Sequence, residues 1–402
     1  MKNKDNKQNS KILINGSYSI LLTVLLLAGL IIVNLIVNHL PVKVTQFDFS
    51  NEKLYTLTDI TTGILKNLDQ DVELYYICEG GKEDDTIQKL LDRYESASSH
   101  IKVEQIDPAL YPGFTSKYTQ EDVANNSVIA VSGDVSKVVN ADSMYVESMN
   151  YNTYSYVKTG FDGEGMITSA VDYVTAKDIP NLYILSGNGE TALGSAFGDV
   201  ISKDNVNPLT LNLMTTDKVP EDADAILINT PTVDYSEEEA QKIIDYLEDG
   251  GKAIIFSNYT VEDMPNFDSI LANYGVEREK GIILEGDSDK YMSYQYCLVP
   301  DISYSAITEN VYGNGSVLAP MSQGILTSDS HRDSITYQPL LTTSDASYSK
   351  EDVENMTTSE KEKGDKSGPF TIGMLIQEDT NNDDEADTEI VYYSTGYLLE
   401  SN

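Results

Sequence analysis

Two short apolar runs on either side of an amphipathic segment constrain the fold of this chain most strongly. Residues 224–229 read DAILIN and residues 253–256 read AIIF. Strands that are apolar on both faces are typical of parallel sheets, which are covered on both sides. Between the runs, Ser236 is placed to cap a helix over residues 237–249, whose first turn carries three glutamates. The pattern predicts a β-α-β unit with parallel strands.

The alternation extends beyond this unit in both directions. An apolar strand at residues 182–185 runs into a turn at residues 186–190, and a weakly amphipathic helix and a strand at 209–213 follow. Downstream, a short helix at 267–274 precedes a short strand at 282–284. Strands and helices that alternate in this way predict an α/β fold with a doubly wound, flavodoxin-like sheet.

The chain beyond residue 41 divides into three parts by pattern. Residues 42–160 form a predicted small α/β domain, and residues 161–290 form the doubly wound domain, which a helix at 167–177 opens. Residues 291–402 are predicted to be a β-rich and loop-rich extension that packs on the second domain. The elements predicted for the small domain are a helix at 59–68 capped by Thr58, strands at 72–78 and 101–106, a helix at 84–98 and a hairpin at 126–140.

The extension carries two polar segments with more than one interpretation. Residues 344–366 are polar and charged, which predicts a mobile surface loop. An acidic loop at 379–387 separates two predicted strands, and its alternating oxygen side chains are reminiscent of a calcium loop. The glycine that a calcium loop needs at its sixth position is Asp384 here, so a solvated hairpin loop is favoured.

A long uncharged segment near the amino terminus predicts a membrane anchor. Residues 17–37 are apolar and have about the 20 residues that a helix needs to span a bilayer. Lysines precede the segment in residues 1–16, which predicts a cytoplasmic tail and an extracytoplasmic location for the bulk of the chain at the cell membrane. A cleaved signal peptide is the alternative, but such peptides have shorter apolar cores of about 7–15 residues and a small-residue cleavage site.

Composition excludes several classes of function. The net charge of −38 argues against nucleic acid and anionic lipid as direct partners, because phosphate contacts need lysine and arginine. With 3 histidines and 2 cysteines the chain has little material for a zinc site, and we expect no resident metal or cofactor. Cys78 and Cys297 are either buried thiols or a long-range disulfide.

Tyrosine is abundant, with 27 residues against no tryptophan. Such side chains serve in protein interfaces and in stacking against sugars, and both interpretations stay open for the tyrosine-rich part of the extension. The tyrosines concerned are Tyr291, Tyr294, Tyr296, Tyr304 and Tyr312.

A candidate pocket for a ligand or partner follows from the strand order. In an open α/β sheet, ligands bind at the carboxyl ends of the strands, so the residues that follow three neighbouring strands should meet there. These candidate residues are Ser186, Gly187, Asn188, Gly189, Glu190, Asn229, Thr230, Pro231 and Ser257.

Catalysis and nucleotide binding are poorly supported at this pocket. Residues 187–192 formally fit a dinucleotide fingerprint, but Glu190 stands where pyrophosphate would need the free helix terminus. The chain has no Walker A motif, and its turn lacks the G-x-S-x-G elbow or the cysteine of hydrolytic α/β domains. We therefore expect a non-enzymatic protein with no catalytic residues, although a hydrolase using Ser186 remains the alternative to test.

Several blocks, taken in order, resemble one family, the GldG-like auxiliary components of ABC transporters first named for gliding motility. The similar blocks are YTLT at 55–58, VELYYIC at 72–78, LLDRYESASSHIKVEQIDP at 90–108, GEGMITSAVDYVTAKDIPNLYILSGNGE at 163–190 and VPEDADAILINTPTVDYSEEEAQKIIDYLEDGGKAIIF at 219–256. The resemblance implies an extracytoplasmic subunit that works with a separate ATP-binding subunit and a permease. It also implies a fold similar to glutamine-amidotransferase domains without their chemistry.

The sequence departs from that family in two places. Asn188 stands where the family commonly has histidine, and the chain stops at Asn402 without the second membrane helix of many members. The apolar segment, the resemblance and the negative charge together predict a membrane-anchored transporter subunit that binds no nucleic acid. The alternative is a surface module that binds a small solute or a polysaccharide.

Overall fold

The computed structural model describes residues 56–150, 155–313, 315–383 and 386–399. No helix within these residues is long and apolar enough to cross a membrane. The predicted transmembrane helix at 17–37 and the cytoplasmic tail at 1–16 lie outside the described residues. The described chain forms two compact units, one ending at Ala176 and the other beginning at Lys177.

The first unit is built on a four-stranded sheet in which the strands lie in the order β2 (Ile101–Ile106), β1 (Val72–Ile77), β3 (Ser127–Ser132) and β4 (Val135–Val139). Strand β1 is parallel to β2 and antiparallel to β3, and β4 closes a hairpin with β3. These assignments confirm the predicted strands and hairpin of the small domain. The elements of this unit are α1 (Asp59–Lys66), α2 (Asp85–Ala97), α3 (Gly163–Thr175), β1 (Val72–Ile77), β2 (Ile101–Ile106), β3 (Ser127–Ser132), β4 (Val135–Val139), β5 (Tyr145–Asn150), β6 (Ser155–Phe161) and 3-10 helices at Thr115–Lys117 and Asp142–Met144.

Side-chain caps define where the helices of this unit begin. Thr58 accepts a hydrogen bond from the backbone N–H of Thr61, as the sequence predicts for α1. Asp84 caps α2 by accepting from the N–H groups of Thr86 and Ile87. Both caps satisfy donors that the first turn of a helix leaves without an intrahelical partner.

Helix α3 belongs to the first unit, whereas the sequence assigned residues from 161 onward to the second domain. Its Ile167, Ala170 and Val171 are buried in one cluster with β1, β3 and α2 side chains such as Leu74 and Tyr94. Local periodicity predicts the helix but does not show which sheet its apolar face covers, so the boundary lies further along the chain.

The second unit contains three α-helices, one 3-10 helix and the remaining strands of the described chain. Its helices are α4 (Ser195–Lys203), α5 (Glu237–Glu248), α6 (Pro265–Ala272) and a 3-10 helix at Tyr397–Leu399. Its strands are β7 (Asn181–Leu185), β8 (Asn207–Leu211), β9 (Ala225–Asn229), β10 (Lys252–Phe256), β11 (Val276–Arg278), β12 (Ile282–Leu284), β13 (Cys297–Leu298), β14 (Asp301–Ile302), β15 (Ala319–Pro320), β16 (Ile325–Thr327), β17 (Ile335–Thr342), β18 (Tyr348–Lys350), β19 (Thr371–Glu378) and β20 (Thr388–Tyr393).

A ten-stranded mixed sheet forms the centre of this unit, so the chain is α/β as predicted. Five adjacent strands are parallel, in the order β8-β7-β9-β10-β20. Strand β19 then pairs antiparallel with β20, and β17 and β16 pair antiparallel with β19. The strand β20 comes from the extension, which therefore shares the sheet of the doubly wound part instead of only packing on it.

The fifth parallel strand differs from the sequence prediction. The short strand at Ile282–Leu284, predicted as the next in the α/β alternation, pairs antiparallel with β18 in a separate two-stranded sheet. The neighbour of β10 is β20, with Ile254 opposite Val391. This pairing joins residues far apart in sequence, and periodicity within either strand carries no information about it.

The two faces of the large sheet are covered differently. On one face, α5 and α6 bury residues such as Ile243 and Phe267 against Ile226, Ile255 and Tyr392. On the other face, α4 packs Ile201 against Leu182 and Leu227 of β7 and β9. Apolar side chains on both faces of β9 explain its continuous apolar sequence.

The segment predicted as a mobile loop at 344–366 is tied to the fold. It contains β18, whose Lys350 is buried and forms ion pairs with Glu362 and Asp365 at 2.8 Å each. Lys366 pairs with the buried Glu279 at 2.6 Å. Polar composition predicted exposure here, but these charges pair with one another across turns that a sequence pattern does not reveal.

Candidate functional site

The turn after β7 follows the strand directly and is hydrogen-bonded to the end of the neighbouring strand β8. The backbone N–H of Ser186 donates to the carbonyl of Leu211 at 2.9 Å, and its hydroxyl donates to the same oxygen at 3.3 Å. Gly187 lies beside Asn212, and Gly189 adopts a positive φ of 72°. A β-carbon on Gly189 would lie 2.2 Å from Oγ1 of Thr232, so the close approach to that residue needs glycine.

Asn188 is the buried centre of the turn, with 3% of its surface exposed. Its side-chain amide donates to Oε1 of Glu239 at 3.1 Å, and its carbonyl accepts from the N–H groups of Thr232 and Val233. Its own N–H donates to Oε2 of Glu190 at 2.7 Å. One residue thus links the turn to the loop after β9 and to helix α5.

The carboxylate of Glu190 is hydrogen-bonded within the protein. Its carboxylate accepts from the N–H of Asn188 and, at 3.0 Å, from the hydroxyl of the buried Tyr235. Burial and then the negative charge of Glu190 raise the pKa of the Tyr235 hydroxyl. The tyrosine therefore remains a neutral donor, and the pair forms a fixed hydrogen bond and not a proton-transfer couple.

The structure brings the segment after β9 against the turn after β7. The Thr191 N–H donates to the carbonyl of Asn229 at 2.9 Å, and the Asn229 side chain donates to the carbonyl of Thr191 at 2.7 Å. The Thr230 hydroxyl donates to the Thr191 hydroxyl at 2.7 Å. Thr230 has a φ of 47°, which is strained for a β-branched residue, and the neighbouring Pro231 is buried.

The residue before Ser257, Phe256, contacts the loop after β9, but the side chain of Ser257 does not. The N–H of Thr230 donates to the carbonyl of Phe256, which connects the loops after β9 and β10. The Ser257 hydroxyl lies 2.8 Å from the hydroxyl of the buried Tyr392. The segment after β9 therefore meets the turn after β7 at Thr191, one residue beyond the predicted turn, and Ser257 directs its hydroxyl to β20.

Glu239, like Tyr235 and Thr191, is a member of this network that the pocket prediction missed. It is 4% exposed, and one oxygen accepts from the N–H and hydroxyl of Ser236 at 2.9 and 2.8 Å. Burial opposes its charge, but the hydrogen bonds from Ser236 and Asn188 outweigh burial and lower the pKa of the carboxyl. The S-x-x-E spacing at 236–239 is a capping-box signal that predicts the bond between Glu239 and Ser236, but not the bond to Asn188.

The hydrogen bonds of this arrangement join the turn after β7 to the loop after β9 and to helix α5. Ser186 donates its hydroxyl to a carbonyl, whereas a nucleophile needs a base that accepts its proton. The described histidine side chains have other partners: His100 contacts Asp71, and His331 contacts the carbonyl of Arg332. The network holds the turn after β7, the loop after β9 and the first turn of α5 together.

Two cavities lie elsewhere in the second unit. One, of about 460 Å³, lies at the opposite edge of the parallel sheet and is bordered by Lys218, Lys242 and Gly250. The other, of about 570 Å³, lies over strands β10, β20 and β19. Neither includes a residue of the predicted pocket.

The remaining sequence candidates are placed as follows. Tyr294 stacks on Tyr296 at 5.3 Å between ring centroids, and Tyr304 meets Tyr312 edge to face at 5.5 Å. In the loop at 379–387, the carboxylate of Asp387 accepts a hydrogen bond from the backbone N–H of Thr380 in the same loop. Within the described part of the chain, no group of His, Cys, Asp or Glu is arranged to hold a metal. The two cysteine thiols are free.

Solved structures show only weak similarity. The mmIFT52 N-terminal domain is 11% identical, with a TM-score of 0.38 over 55% of this chain and 87% of that one. A protein described as ThuA-like from Bacteroides uniformis is 14% identical, with a TM-score of 0.30 over 55% of this chain and 84% of that one. No curated protein sequence matches the chain.

Family models cover most of the described chain. Residues 51–145 match a model described as a domain of unknown function, DUF7088. Residues 180–400, more than half of the chain, match the model described as an ABC-type uncharacterized transport system. That second match includes the parallel sheet, the network around Asn188 and strand β20. The chain therefore belongs to the family of ABC-type uncharacterized transport system auxiliary components.

Proposed function

We propose that this protein is a non-enzymatic auxiliary subunit of an ABC transporter, of the GldG-like type, acting with a separate ATP-binding subunit and a permease. The observation that carries the proposal is the family match over residues 180–400. The family match supports an association with a transport system. The sequence and the site support the more specific role of a membrane-anchored, non-enzymatic subunit.

The division of labour follows from the sequence. The chain has no G-x-x-x-x-G-K-[ST] motif, so the phosphate-binding loop that powers transport is assigned to another subunit. The apolar segment at 17–37, preceded by lysines, supports a membrane anchor with the two described units outside the cytoplasm. A net charge of −38 suits a soluble outer region and disfavours contact with anionic headgroups.

The network at the carboxyl edge supports a non-enzymatic role. The polar atoms that would face a substrate, on Asn188, Glu190 and Thr230, are hydrogen-bonded to Glu239, Tyr235 and Thr191. A ligand would have to break bonds that already join the two loops to α5. The protein accordingly contributes surfaces to the transporter and no chemical step.

Purification of the full-length chain from detergent-solubilised membranes tests the proposal. A tagged chain should recover a multi-span permease and an ATP-binding subunit, and the tagged ATP-binding subunit should recover this chain in return. The matched control is an unrelated single-span protein that carries the same tag and is expressed at the same level. If neither subunit is enriched over that control, the chain is not a transporter component.

A turnover assay tests the non-enzymatic part separately. The full-length chain should not hydrolyse ester, amide or glycoside substrates above the rate of the Ser186→Ala variant. Turnover by the wild-type chain that disappears in Ser186→Ala would overturn this part and leave the transporter association standing.

A further inference from the structure

The cavity of about 570 Å³ has a floor made by one row of the large sheet. Ile254 of β10 lies opposite Val391 of β20, and Val391 lies opposite Leu375 of β19. Directly paired residues of neighbouring strands share a face, so these three aliphatic side chains form one continuous strip. All three border the cavity.

The two sides of the strip are chemically different. Along one side lies an aromatic row of the same face, where Phe256 stacks on Tyr393 at 5.4 Å between centroids. Along the other side lies a charged row, where Lys252 pairs with Glu389 at 3.4 Å. Beyond that row lies the loop at 379–387, with Asp379, Asp383 and Asp387 among its described residues.

A turn-rich segment at 303–312 forms the wall of the cavity. Its Ala306 and Ile307 border the space, and Ile307 is 46% exposed. Two hydrogen bonds hold the segment to β17, from the Ser303 N–H to Leu340 and from the Gln338 side chain to the carbonyl of Tyr304. The wall is therefore fixed, and an apolar side chain on it faces solvent beside an apolar floor.

Parallel strands are usually covered by helices on both faces. On the opposite face of β10 and β20, α5 and α6 supply that cover and bury Ile255 and Tyr392. On this face the corresponding space over Ile254 and Val391 is the cavity. Next to the cavity, Ile201 of α4 and the C-terminal Leu399 cover this face and pack with Phe256 in one apolar cluster.

We propose that this groove docks an amphipathic helix of a partner polypeptide. The helix would lay an aliphatic stripe, spaced i, i+3, i+4 and i+7, on Ile254, Val391 and Leu375. Lysines or arginines along one side of the helix would face the loop that carries Asp379, Asp383 and Asp387, and the net charge of −38 favours a basic partner over an acidic one. This inference concerns the surface alone and does not depend on which complex the chain joins.

Disulfide trapping on the full-length chain in phosphatidylcholine nanodiscs tests the proposal. The probe is an 18-residue leucine and lysine peptide with the amphipathic spacing and one cysteine in its apolar stripe. Ile307→Cys places the reactive thiol on the groove wall, and Val261→Cys, at a residue that is 58% exposed, is the matched control. Both variants carry Cys297→Ser, which removes the partly exposed native thiol.

We expect the peptide to be trapped at Ile307→Cys at least tenfold faster than at Val261→Cys. A peptide of the same composition without helical amphipathic spacing should lose that advantage. Equal rates at the two positions, or equal rates for the two peptides, would overturn the proposal. Disulfide-linked dimers of the Ile307→Cys chain that exclude the peptide would assign the groove to a second copy and would also overturn it.

Discussion

The side-chain amide of Asn188 lies 3.1 Å from Oε1 of Glu239 and joins the turn after β7 to the first turn of α5. The other oxygen of Glu239 accepts from Ser236, so one buried carboxylate both caps the helix and receives the turn. An acceptor that loses a donor in a buried site keeps its desolvation cost without compensation. The position of the turn is therefore coupled to the stability of α5.

Substitution of Asn188 should separate the loss of a donor from the addition of a charge. Asn188→Ala should lower the free energy of unfolding by about 1–3 kcal/mol, because Glu239 loses its amide partner. Asn188→Asp should lower it further at pH 7, since a second carboxylate then faces Glu239 in a buried site. The measurement is urea-induced unfolding of each full-length variant at pH 7 and pH 4.5.

The difference between the two variants should narrow at pH 4.5, where the introduced carboxyl takes up a proton. Asn310→Asp, at an exposed position, is the matched control and should change the free energy of unfolding by less than about 0.5 kcal/mol. Equal stability of Asn188→Asp and the wild-type chain would show that the contact with Glu239 does not hold the turn.

The sequence predicts that the turns after β7 and β9 lie together, but it does not predict the contact between Asn188 and Glu239. The carboxyl ends of β7 and β9 predict that Asn188 and Asn229 lie near each other, since parallel strands end at the same edge. Nothing in either segment shows that Asn188 donates to a residue on α5, which the capping box places 51 positions away. Several polar groups of the predicted pocket therefore bond to residues outside it: Asn188 to Glu239, Glu190 to Tyr235 and Thr230 to Thr191.

The fold divides in the same way. Ser236 and its glutamates predict α5 because a helix cap is a contact of a few residues. The side chains of β20 would alternate between the two faces of the sheet whether its neighbour were an antiparallel or a parallel strand. The sequence of β20 therefore does not predict that it pairs with β10. The burial of Lys350 is unpredictable for a related reason, because its partners Glu362 and Asp365 sit in a segment with the composition of a loop.

Acid should weaken the fold through carboxylates whose pKa the fold lowers, and Glu378 is a clear case. Hydrogen bonds from Arg332 at 2.6 and 2.7 Å lower the pKa of Glu378 against the opposing effect of burial. A carboxyl with a lowered folded pKa contributes stability that is complete above its unfolded pKa of about 4.3 and is lost as the pH falls through the folded value. Stability should thus be retained at neutral pH and decline below about pH 4.

Glu378→Gln should remove part of that dependence. At pH 7 it should lower the free energy of unfolding by about 1.5–3 kcal/mol, because the charge-assisted bonds to Arg332 are lost. The deficit relative to wild type should shrink as the pH is lowered from 5 to 2, measured by urea unfolding at each pH. Glu354→Gln, at an exposed position, is the control. A deficit for Glu378→Gln that is constant with pH would contradict this origin of the acid sensitivity.

Lys350 should determine whether the segment at 351–365 stays attached. Lys350→Met removes the ammonium group that pairs with Glu362 and Asp365, and leaves the mostly buried Asp365 carboxylate without that donor. We expect a loss of about 1.5–3 kcal/mol in the free energy of unfolding and faster cleavage by a glutamate-specific protease within the segment.

Lys363→Met is the matched control, since Lys363 is exposed in the same segment. It should leave both the stability and the cleavage rate close to wild type. If the two lysine variants are cleaved at the same rate, the ion pairs of Lys350 do not hold the segment.

Gly281 and Gly313 offer a matched pair that separates backbone strain from steric contact, because both have a φ of 74°. A β-carbon at Gly313 meets nothing within 4 Å, whereas one at Gly281 would lie 1.8 Å from the carbonyl oxygen of Lys350. Gly313→Ala should therefore cost about 1–2 kcal/mol from the left-handed backbone alone. Gly281→Ala should cost the same amount plus about 1–3 kcal/mol, because β12 and β18 must separate to admit the methyl group. Thermal unfolding of both variants measures the difference, and equal losses would show that the approach of these two strands is not tight.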